Sequence, residues 1–296
     1  MDKLVIEGGI PLRGEIAVSG AKNAALPLMA ASLIAEGCHI FENVPRLRDI
    51  RTMQTLLTHM GAVCEHDALL RIDTSRIRTL EAPYELVKTM RASVVVLGPL
   101  VARYREARIS LPGGCAIGAR PINLHLKGLE QMGVDIDLEH GYVLAKARKL
   151  HGADITFDQV TVTGTENLMM AATLADGVTV LRNAAREPEV VALADYLTLM
   201  GAKIQGAGTT DITIEGVTEL KPARIRVIPD RIEAGTYMVA AGITGGELTL
   251  TSCEPAHLDA VIQKLSAAGL RIQSENGRIH VKAGDAIHSV NVKTWP

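Results

Sequence analysis

The 296-residue sequence contains one short segment four times, and this repetition limits the folds open to the chain. Each copy carries apolar residues at helical spacing and ends in a turn; the copies read LLTHMGAVCE, GLEQMGVDID, YLTLMGAKIQ and KLSAAGLRIQ. Their glycines are Gly61, Gly133, Gly201 and Gly269, which lie 72, 68 and 68 residues apart. Such a repeat indicates one supersecondary unit used several times, because one unit alone cannot bury its apolar faces.

The residues around each copy predict the order of elements within a unit. An apolar run rich in Ala and Met begins near 19, 163 and 233 and stops at a glycine, as a helix does. A short alternating stretch such as VTVLRNA follows and indicates a strand. An amphipathic helix and a strand pair complete the unit, and Gly206 and Gly208 mark the turn of one such pair. We therefore expect an α/β protein built from βαβαββ units.

The copies also predict two domains. Residues 20–228 hold three units and are expected to form one complete domain. Residues 1–19 with 229–296 are expected to form a partial second domain, because PDRIEAG at 229–235 restarts the pattern. Four units are an unusual count for a pseudo-symmetric fold, so we expect the chain to be part of a longer protein. The second copy, about 82–142, diverges most: it has one long predicted helix, YELVKTMRASVVVLGPLVARY, and an unusual link, LPGGCAIGARP.

Composition argues against several classes of function. The net charge is −2 and aromatic residues make up 3% of the chain, which does not suit a nucleic-acid partner. No apolar stretch is long enough to span a bilayer, and the N-terminus does not read as a signal peptide. The four cysteines have no paired spacing. We expect a cytoplasmic protein without a membrane partner, a metal or a cofactor.

Cys115 is the first candidate for a functional residue. It lies among three glycines and is followed by Arg120, so an exposed thiol near a cation would have a lowered pKa. The alternative is that Cys115 is a small buried apolar residue, as most free cysteines are. That second role is assigned to the cysteines in strand-like runs, Cys38, Cys64 and Cys253.

Cations supply the other candidates. Lys22 and Asn23 follow a glycine at a predicted helix start, where backbone N–H groups attract anions, although a solvated turn is the alternative. Arg91 lies in an apolar helix and needs either a ligand or a structural carboxylate. Arg120 precedes another helix start and could hold a phosphate by two hydrogen bonds. His125 follows on that helix and fits a core or surface histidine better.

Two other stretches resemble parts of a binding site. In the third copy, the link that corresponds to the Cys115 segment of the second copy contains Arg186, Glu187 and Glu189. GAGTTD at 206–211 is predicted to be a hairpin, because it lacks the Lys-Ser/Thr ending of a phosphate loop. Together, the candidates predict a site for an anionic, phosphorylated substrate beside a thiol.

Five motifs carry a resemblance that extends over the whole chain: SGAKNAALP, KTMRAS, LPGGCAIGARP, NAAREPE and PDRIEAGTYM. They resemble the enolpyruvyl transferases, in the branch that acts on UDP-N-acetylglucosamine. The resemblance implies an inside-out α/β barrel of two domains with three units each. It also implies two substrates, phosphoenolpyruvate and UDP-N-acetylglucosamine, with the sugar 3-hydroxyl adding to the enol and phosphate leaving. The reaction belongs to peptidoglycan synthesis.

The resemblance assigns roles to residues that match the motifs. Cys115 is implied as the proton donor that also forms an adduct with phosphoenolpyruvate. Lys22 and Asn23 are implied to contact phosphoenolpyruvate and the sugar, and Arg91 the sugar nucleotide. The implied contacts to the uridine diphosphate end are Arg120, Pro121, Ile122, Asn123, Leu124, Val160, Thr161, Val162 and Thr163.

The sequence departs from the family at three points. Asn123 stands where aspartate is often found, and Gln159 where lysine is common. The family's general-base aspartate and several of its arginines lie beyond residue 296, so we expect negligible turnover from this chain alone. Two other functions remain open: an inactive fragment that only binds a nucleotide sugar, and the shikimate-pathway enolpyruvyl transferase, whose loop lacks the Gly-Gly-Cys segment.

Overall fold

The computed structural model describes residues 3–88, 90–111 and 122–293, and only the backbone of Arg91. The α-helices in these ranges are α1 Lys22–Ala31, α2 Arg48–Met60, α3 Tyr84–Val87, α4 Leu97–Tyr104, α5 Asn123–Gln131, α6 Val162–Ala172, α7 Pro188–Leu199, α8 Arg231–Ile243 and α9 Asp259–Ala267. Short 3-10 helices cover Ser32–Ile34, Arg91–Val96 and Pro255–Leu258.

The strands are β1 Arg13–Ala17, β2 Cys38–Glu42, β3 Val63–His66, β4 Leu70–Asp73, β5 Glu81–Ala82, β6 Glu106–Ser110, β7 Asp135–Glu139, β8 Tyr142–Lys146, β9 Asp154–Thr156, β10 Val178–Arg182, β11 Lys203–Gln205, β12 Asp211–Glu215, β13 Arg224–Arg226, β14 Glu247–Thr251, β15 Arg271–Glu275 and β16 Arg278–Lys282. They form four sheets of four strands, in the orders β13-β2-β4-β3, β5-β6-β8-β7, β9-β10-β12-β11 and β1-β14-β16-β15.

All four sheets have the same construction. A first edge strand runs parallel to the strand beside it, and the remaining two pairings are antiparallel. The last hairpin of each unit supplies those antiparallel strands, including β11–β12, so the predicted hairpin at 206–211 is confirmed. The α/β class and the repeated unit predicted from the sequence are therefore confirmed.

The first strands of the first and fourth units are exchanged. The predicted domain bounds group residues 1–19 with residues 229–296. In the structure β1, which precedes α1, pairs with β14 of the fourth unit, and β13, which precedes α8, pairs with β2 of the first. Above the level of the repeat, the chain divides into two compact parts. One contains residues 22–227 and is called unit 22–227 below. The other contains the residues up to 21 together with those from 228 onward. Independent folding of the predicted domain 20–228 stays a prediction.

Unit 22–227 has helices at its centre. Every residue of α6 from Gly164 to Ala172 is buried, and so is every residue of α1 from Ala24 to Ala31. Helices that are buried on every side belong in a protein interior, whereas α2 buries one stripe that contains Met53 and Leu57. The central strands bury alternate side chains, as sheets with one face on a core do. Buried helices with sheets outside them give the inside-out arrangement.

The unit formed by residues up to 21 and from 228 onward has a smaller core. Helix α8 packs on β14 and β16 and buries Met238 and Ala241, whereas Val239 and Ile243 are exposed. Val18, Leu250 and Val281 are among the other buried residues of this core.

The predicted long helix over 84–104 is wrong, because the structure divides it into α3, a 3-10 helix and α4. The N–H of Leu97 donates to the carbonyl of Val94, which is the three-residue spacing of a 3-10 turn. Pro99 has no N–H to continue an α-helical ladder back to Val95, and its ring crowds that carbonyl. The division places Arg91 at the start of its own short helix.

Candidate functional site

The predicted substrate contacts in the described part of the chain gather at helix starts. Helix α1 begins at Lys22, α5 at Asn123 and α6 at Val162, and the middle 3-10 helix begins at Arg91. Helix starts carry unpaired N–H groups and a partial positive charge, so they attract anions. The remaining predicted contacts adjoin these starts: Asn23, Ile122, Leu124, Val160, Thr161 and Thr163. Cys115, Arg120 and Pro121 lie outside the described residues, as does the side chain of Arg91.

A buried hydrogen-bond network joins α5 and α6 to α4 and the middle 3-10 helix. Asn167 of α6 donates its amide to the carbonyl of Val94, 2.9 Å away, and also lies 2.9 Å from Nδ1 of His125 on α5. The N–H of Gly98 donates to Oδ1 of Asn167 at 2.5 Å. Nε2 of His125 lies 3.3 Å from the hydroxyl of Thr163. Since Asn167 and His125 are almost fully buried, this network fixes the mutual positions of α4, α5 and α6.

The start of α6 is also fixed by local bonds. Thr161 caps the helix, its hydroxyl accepting the N–H of Gly164 at 3.2 Å. The hydroxyl of Thr165 donates to the carbonyl of Thr161 at 2.8 Å and accepts the N–H of Ala185 at 3.1 Å. That last bond ties α6 to the link that carries Arg186 and Glu187. Thr161, Val162 and Thr163 are half-buried, so a ligand has partial access to them.

Lys22 lies at a different helix start and has a carboxylate beside it. Its ammonium nitrogen is 2.9 Å from Oδ2 of Asp49, which lies in the first turn of α2. Both side chains are about one third exposed, at 38% and 34%. Asn23 is exposed next to Lys22. Helix α1 also packs against the 3-10 helix that begins at Arg91.

The structure adds an acidic group that sequence reasoning did not single out. Glu166 of α6 is 2% exposed, and its Oε1 has no hydrogen-bond partner among the described residues. Burial, followed by the charges of Glu189 and Glu187, raises the pKa of Glu166 well above its ordinary value. The sequence signal was a glutamate inside the apolar run TGTENLMMAA, where a charged residue is costly.

The cysteines differ more than their sequence settings indicated. Cys38 in β2 is exposed, so its assignment as a small buried residue is wrong: it occupies the outward side of its strand. Burial raises the pKa of Cys64 in β3, and burial with the charge of Glu233 raises that of Cys253 to about 11. Cys253 is buried in a link after β14 rather than in a strand.

The links after the strands repeat one backbone feature. Asn43, Asn183 and Ser252 each follow the second strand of a unit and have φ of 57°, 54° and 55°. Asn43 and Asn183 then donate their side-chain amides to the carbonyls of Val227 and Phe157, each the residue after the parallel edge strand. The link that contains Cys115 has the same place in the second unit, since it follows β6.

The described ranges contain neither a membrane-spanning helix nor a cluster of metal-binding side chains. No helix there has the length and apolar character needed to cross a bilayer. Nor do three or more His, Cys, Asp or Glu side chains of 3–88, 90–111 and 122–293 come together as metal ligands would.

Comparison with known proteins identifies the family. Residues 6–296 match the family described as EPSP synthase (3-phosphoshikimate 1-carboxyvinyltransferase). The chain belongs to this family of enolpyruvyl transferases. Among curated proteins it is 56% identical to the UDP-N-acetylglucosamine 1-carboxyvinyltransferase of Thermodesulfovibrio yellowstonii, 58% to that of Desulfatibacillum aliphaticivorans and 57% to that of Geobacter metallireducens. Each alignment covers 100% of this chain and 71% of the relative.

Solved structures of the family share the fold. The enolpyruvyl transferase NikO from Streptomyces tendae superposes with a TM-score of 0.82 at 23% identity, over 95% of this chain and 68% of its own. EPSP synthase from Acinetobacter baumannii gives 0.76 at 21% identity, over 97% and 68%. The inside-out α/β arrangement is thus that of known enolpyruvyl transferases.

Proposed function

We propose that the protein transfers the enolpyruvyl group of phosphoenolpyruvate to the 3-hydroxyl of UDP-N-acetylglucosamine and releases phosphate. The observation that carries this proposal is the identity of 56–58%, over the whole chain, to proteins that bear the name of that activity. The same name supports a place in peptidoglycan synthesis, and with it in cell-wall growth and division in the cytoplasm.

The geometry of unit 22–227 supports the nucleotide half of the site. A nucleoside diphosphate is an anion, and the starts of α5 and α6 offer N–H donors, the hydroxyl of Thr163 and the positive ends of two helix dipoles. The nucleotide contacts of this proposal are the starts of these two helices, Ile122–Leu124 and Val160–Thr163, together with Arg120 and Pro121. Lys22 supplies a point charge for the phosphate or carboxylate of phosphoenolpyruvate.

The proposed chemistry needs a proton and a way to stabilise charge. Cys115 gives its thiol proton to the methylene carbon of phosphoenolpyruvate, and this creates an oxocarbenium-like centre at the neighbouring carbon. The sugar hydroxyl attacks that centre and loses its proton. Phosphate leaves, and loss of a proton from the new methyl group restores the double bond. Lys22, Arg91 and Arg120 bind the anionic groups throughout, because fixed cations in a shielded site stabilise charge better than water does.

The shikimate-pathway activity is a weaker proposal. Its support is the description of the matched family and the fold shared with EPSP synthase at 21% identity, which is too distant to carry a substrate. A third proposal, a protein that binds the nucleotide sugar without turnover, predicts saturable binding but no product.

Product analysis separates the three proposals. The protein, produced as its gene encodes it, is incubated with phosphoenolpyruvate and either UDP-N-acetylglucosamine or shikimate 3-phosphate, and the products are identified by mass spectrometry. We expect enolpyruvyl-UDP-N-acetylglucosamine with an equal amount of phosphate, and no shikimate product. Enolpyruvyl transfer to shikimate 3-phosphate alone would refute the main proposal.

The thiol is tested separately. Fosfomycin, a phosphonate epoxide that resembles phosphoenolpyruvate, is expected to alkylate Cys115 and to stop product formation. Peptide mapping locates the label, and Cys115→Ser serves as the unlabelled control. Label on Cys38, Cys64 or Cys253, with none on Cys115, would contradict the role given to Cys115.

A further inference from the structure

The orientation of the Asn167 amide is determined by its neighbours. The backbone N–H of Gly98 can only donate, and it lies 2.5 Å from Oδ1. The carbonyl of Val94 can only accept, and it lies 2.9 Å from Nδ2. The reverse orientation would place two donors and two acceptors face to face, and Asn167 is fully buried, so water cannot compensate. The amide nitrogen therefore faces Val94 and His125.

This orientation decides where His125 carries its proton. The second hydrogen of the Asn167 amide points to Nδ1 of His125, 2.9 Å away, so Nδ1 must accept. In a neutral imidazole the proton is then on Nε2. Nε2 lies 3.3 Å from Oγ1 of Thr163 and donates to it. The two hydrogen bonds therefore point the same way: the Asn167 amide donates to His125, and His125 donates to Thr163 at the start of α6.

The last group in this series of hydrogen bonds is the hydroxyl of Thr163. A hydroxyl that accepts one hydrogen bond keeps its own hydrogen as a donor. Thr163 is half-buried and second in α6, where the neighbouring backbone N–H groups are also donors. Reversing the histidine tautomer would make Nε2 an acceptor and draw the hydroxyl hydrogen inward. The network therefore determines whether the start of α6 presents a donor or a lone pair.

We infer that Asn167 and His125 are positioning residues that hold the Thr163 hydroxyl as a hydrogen-bond donor to the diphosphate of the nucleotide sugar. The inference rests on the proposed function for the identity of the ligand. It adds two residues to the site and a direction to their bonds. A merely structural network would stabilise the unit without setting the direction of the Thr163 bond.

The tautomer is measured directly on the unmodified chain. Nitrogen-15 NMR of histidine-labelled protein distinguishes protonated from unprotonated ring nitrogens, and a His125→Gln variant assigns the signal. We expect a protonated Nε2 and an unprotonated Nδ1 at neutral pH. A proton on Nδ1, or on both nitrogens, would overturn the inference. This readout does not depend on any ligand.

Binding tests the consequence. UDP-N-acetylglucosamine is titrated into the unmodified chain, Thr163→Val and Thr163→Ser by calorimetry. Loss of one hydrogen bond to a charged group is expected to raise Kd about tenfold in Thr163→Val, and serine should restore most of the affinity. The matched control is Thr173→Val at the far end of α6, whose buried hydroxyl donates to Met170, and its Kd should stay unchanged.

A double variant separates positioning from general damage. Asn167→Leu removes the amide that fixes the tautomer, and we expect weaker binding of the nucleotide. In the Thr163→Val background the same change should add little, because the two act through one bond. Full additivity, or an unchanged Kd in Thr163→Val, would overturn the inference while leaving the proposed function standing. If the unmodified chain does not bind the nucleotide sugar, the nucleotide subsite of the proposed function fails, and the inference fails with it. Should Asn167→Leu not fold, the tautomer and the Thr163 variants still decide.

Discussion

Acidification is expected to destabilise unit 22–227 through one buried histidine. His39 on β2 and Tyr196 on α7 are both fully buried, and Nδ1 of the ring lies 2.5 Å from the tyrosine oxygen. Nε2 lies 3.2 Å from the carbonyl of Ala35, so it carries the proton and Nδ1 accepts the Tyr196 hydroxyl. A neutral ring therefore satisfies both of these bonds.

The size of the effect follows from the pKa of His39. Burial, partly opposed by the bond to Ala35, lowers it from 6.5 to about 4. Below pH 6.5 the unfolded chain binds a proton at His39 that the folded chain does not bind until the pH is near 4. The stability contributed by the neutral ring is therefore complete above pH 6.5 and is lost as the pH falls towards 4. A difference of about 2.5 pKa units corresponds to about 3 kcal/mol in total, of which about 2 kcal/mol is lost between pH 7.5 and pH 5.

Urea unfolding at several pH values measures this loss. The free energy of unfolding is compared between the unmodified chain and His39→Gln, which cannot titrate in this range. The glutamine variant should be less stable at neutral pH, yet its stability should fall about 2 kcal/mol less on going to pH 5. Tyr196→Phe leaves Nδ1 without its donor and should cost about 1–3 kcal/mol at neutral pH. Equal pH dependence in the unmodified chain and His39→Gln would show that His39 is not the group whose titration destabilises the fold.

Three more outcomes are expected. Glu166→Gln should gain stability relative to the unmodified chain as pH rises from about 5 to 8. Burial and then like charges raise the pKa of Glu166, so the folded state keeps a proton that the unfolded state releases above about pH 4.5. Equal urea unfolding curves for the two proteins at both pH values would contradict this. Gly98→Ala would place a Cβ 2.2 Å from a backbone oxygen of α6 and should cost about 1–3 kcal/mol, whereas Gly235→Ala meets nothing closer than 3.6 Å and should be neutral or stabilising. Limited proteolysis should release a resistant core near 20–228, and uniform cleavage within it would count against the predicted domain.

The repeat predicted most of the fold because it reflects packing that every unit must satisfy. Gly61, Gly133, Gly201 and Gly269 each end a second helix with positive φ, and that requirement is local enough to be visible in the sequence. The predicted domain bounds group residues 1–19 with 229–296, but the strand partners of β1 and β13 are set by pairing across the chain, which no local pattern reports.

The site was predictable in part for the same reason. Lys22 and Asn123 stand at helix starts that the sequence marks with glycine or proline. His125 was predicted to be a core or surface histidine, and its burial agrees with the first of these. Its link to Thr163 depends on Asn167, which follows it by 42 residues and lies inside an apolar run. No local pattern reports such a contact, because its partners meet only once α5 and α6 are packed together.

One titration tests the proposed nucleotide subsite at the starts of α5 and α6. Backbone amide spectra of the nitrogen-15-labelled chain are recorded as UDP-N-acetylglucosamine is added. We expect saturable shifts that are largest at Asn123–His125 and Thr161–Thr165, with little change in the hairpin of β15 and β16. Saturable shifts confined to residues from 228 onward, with none at these helix starts, would contradict it.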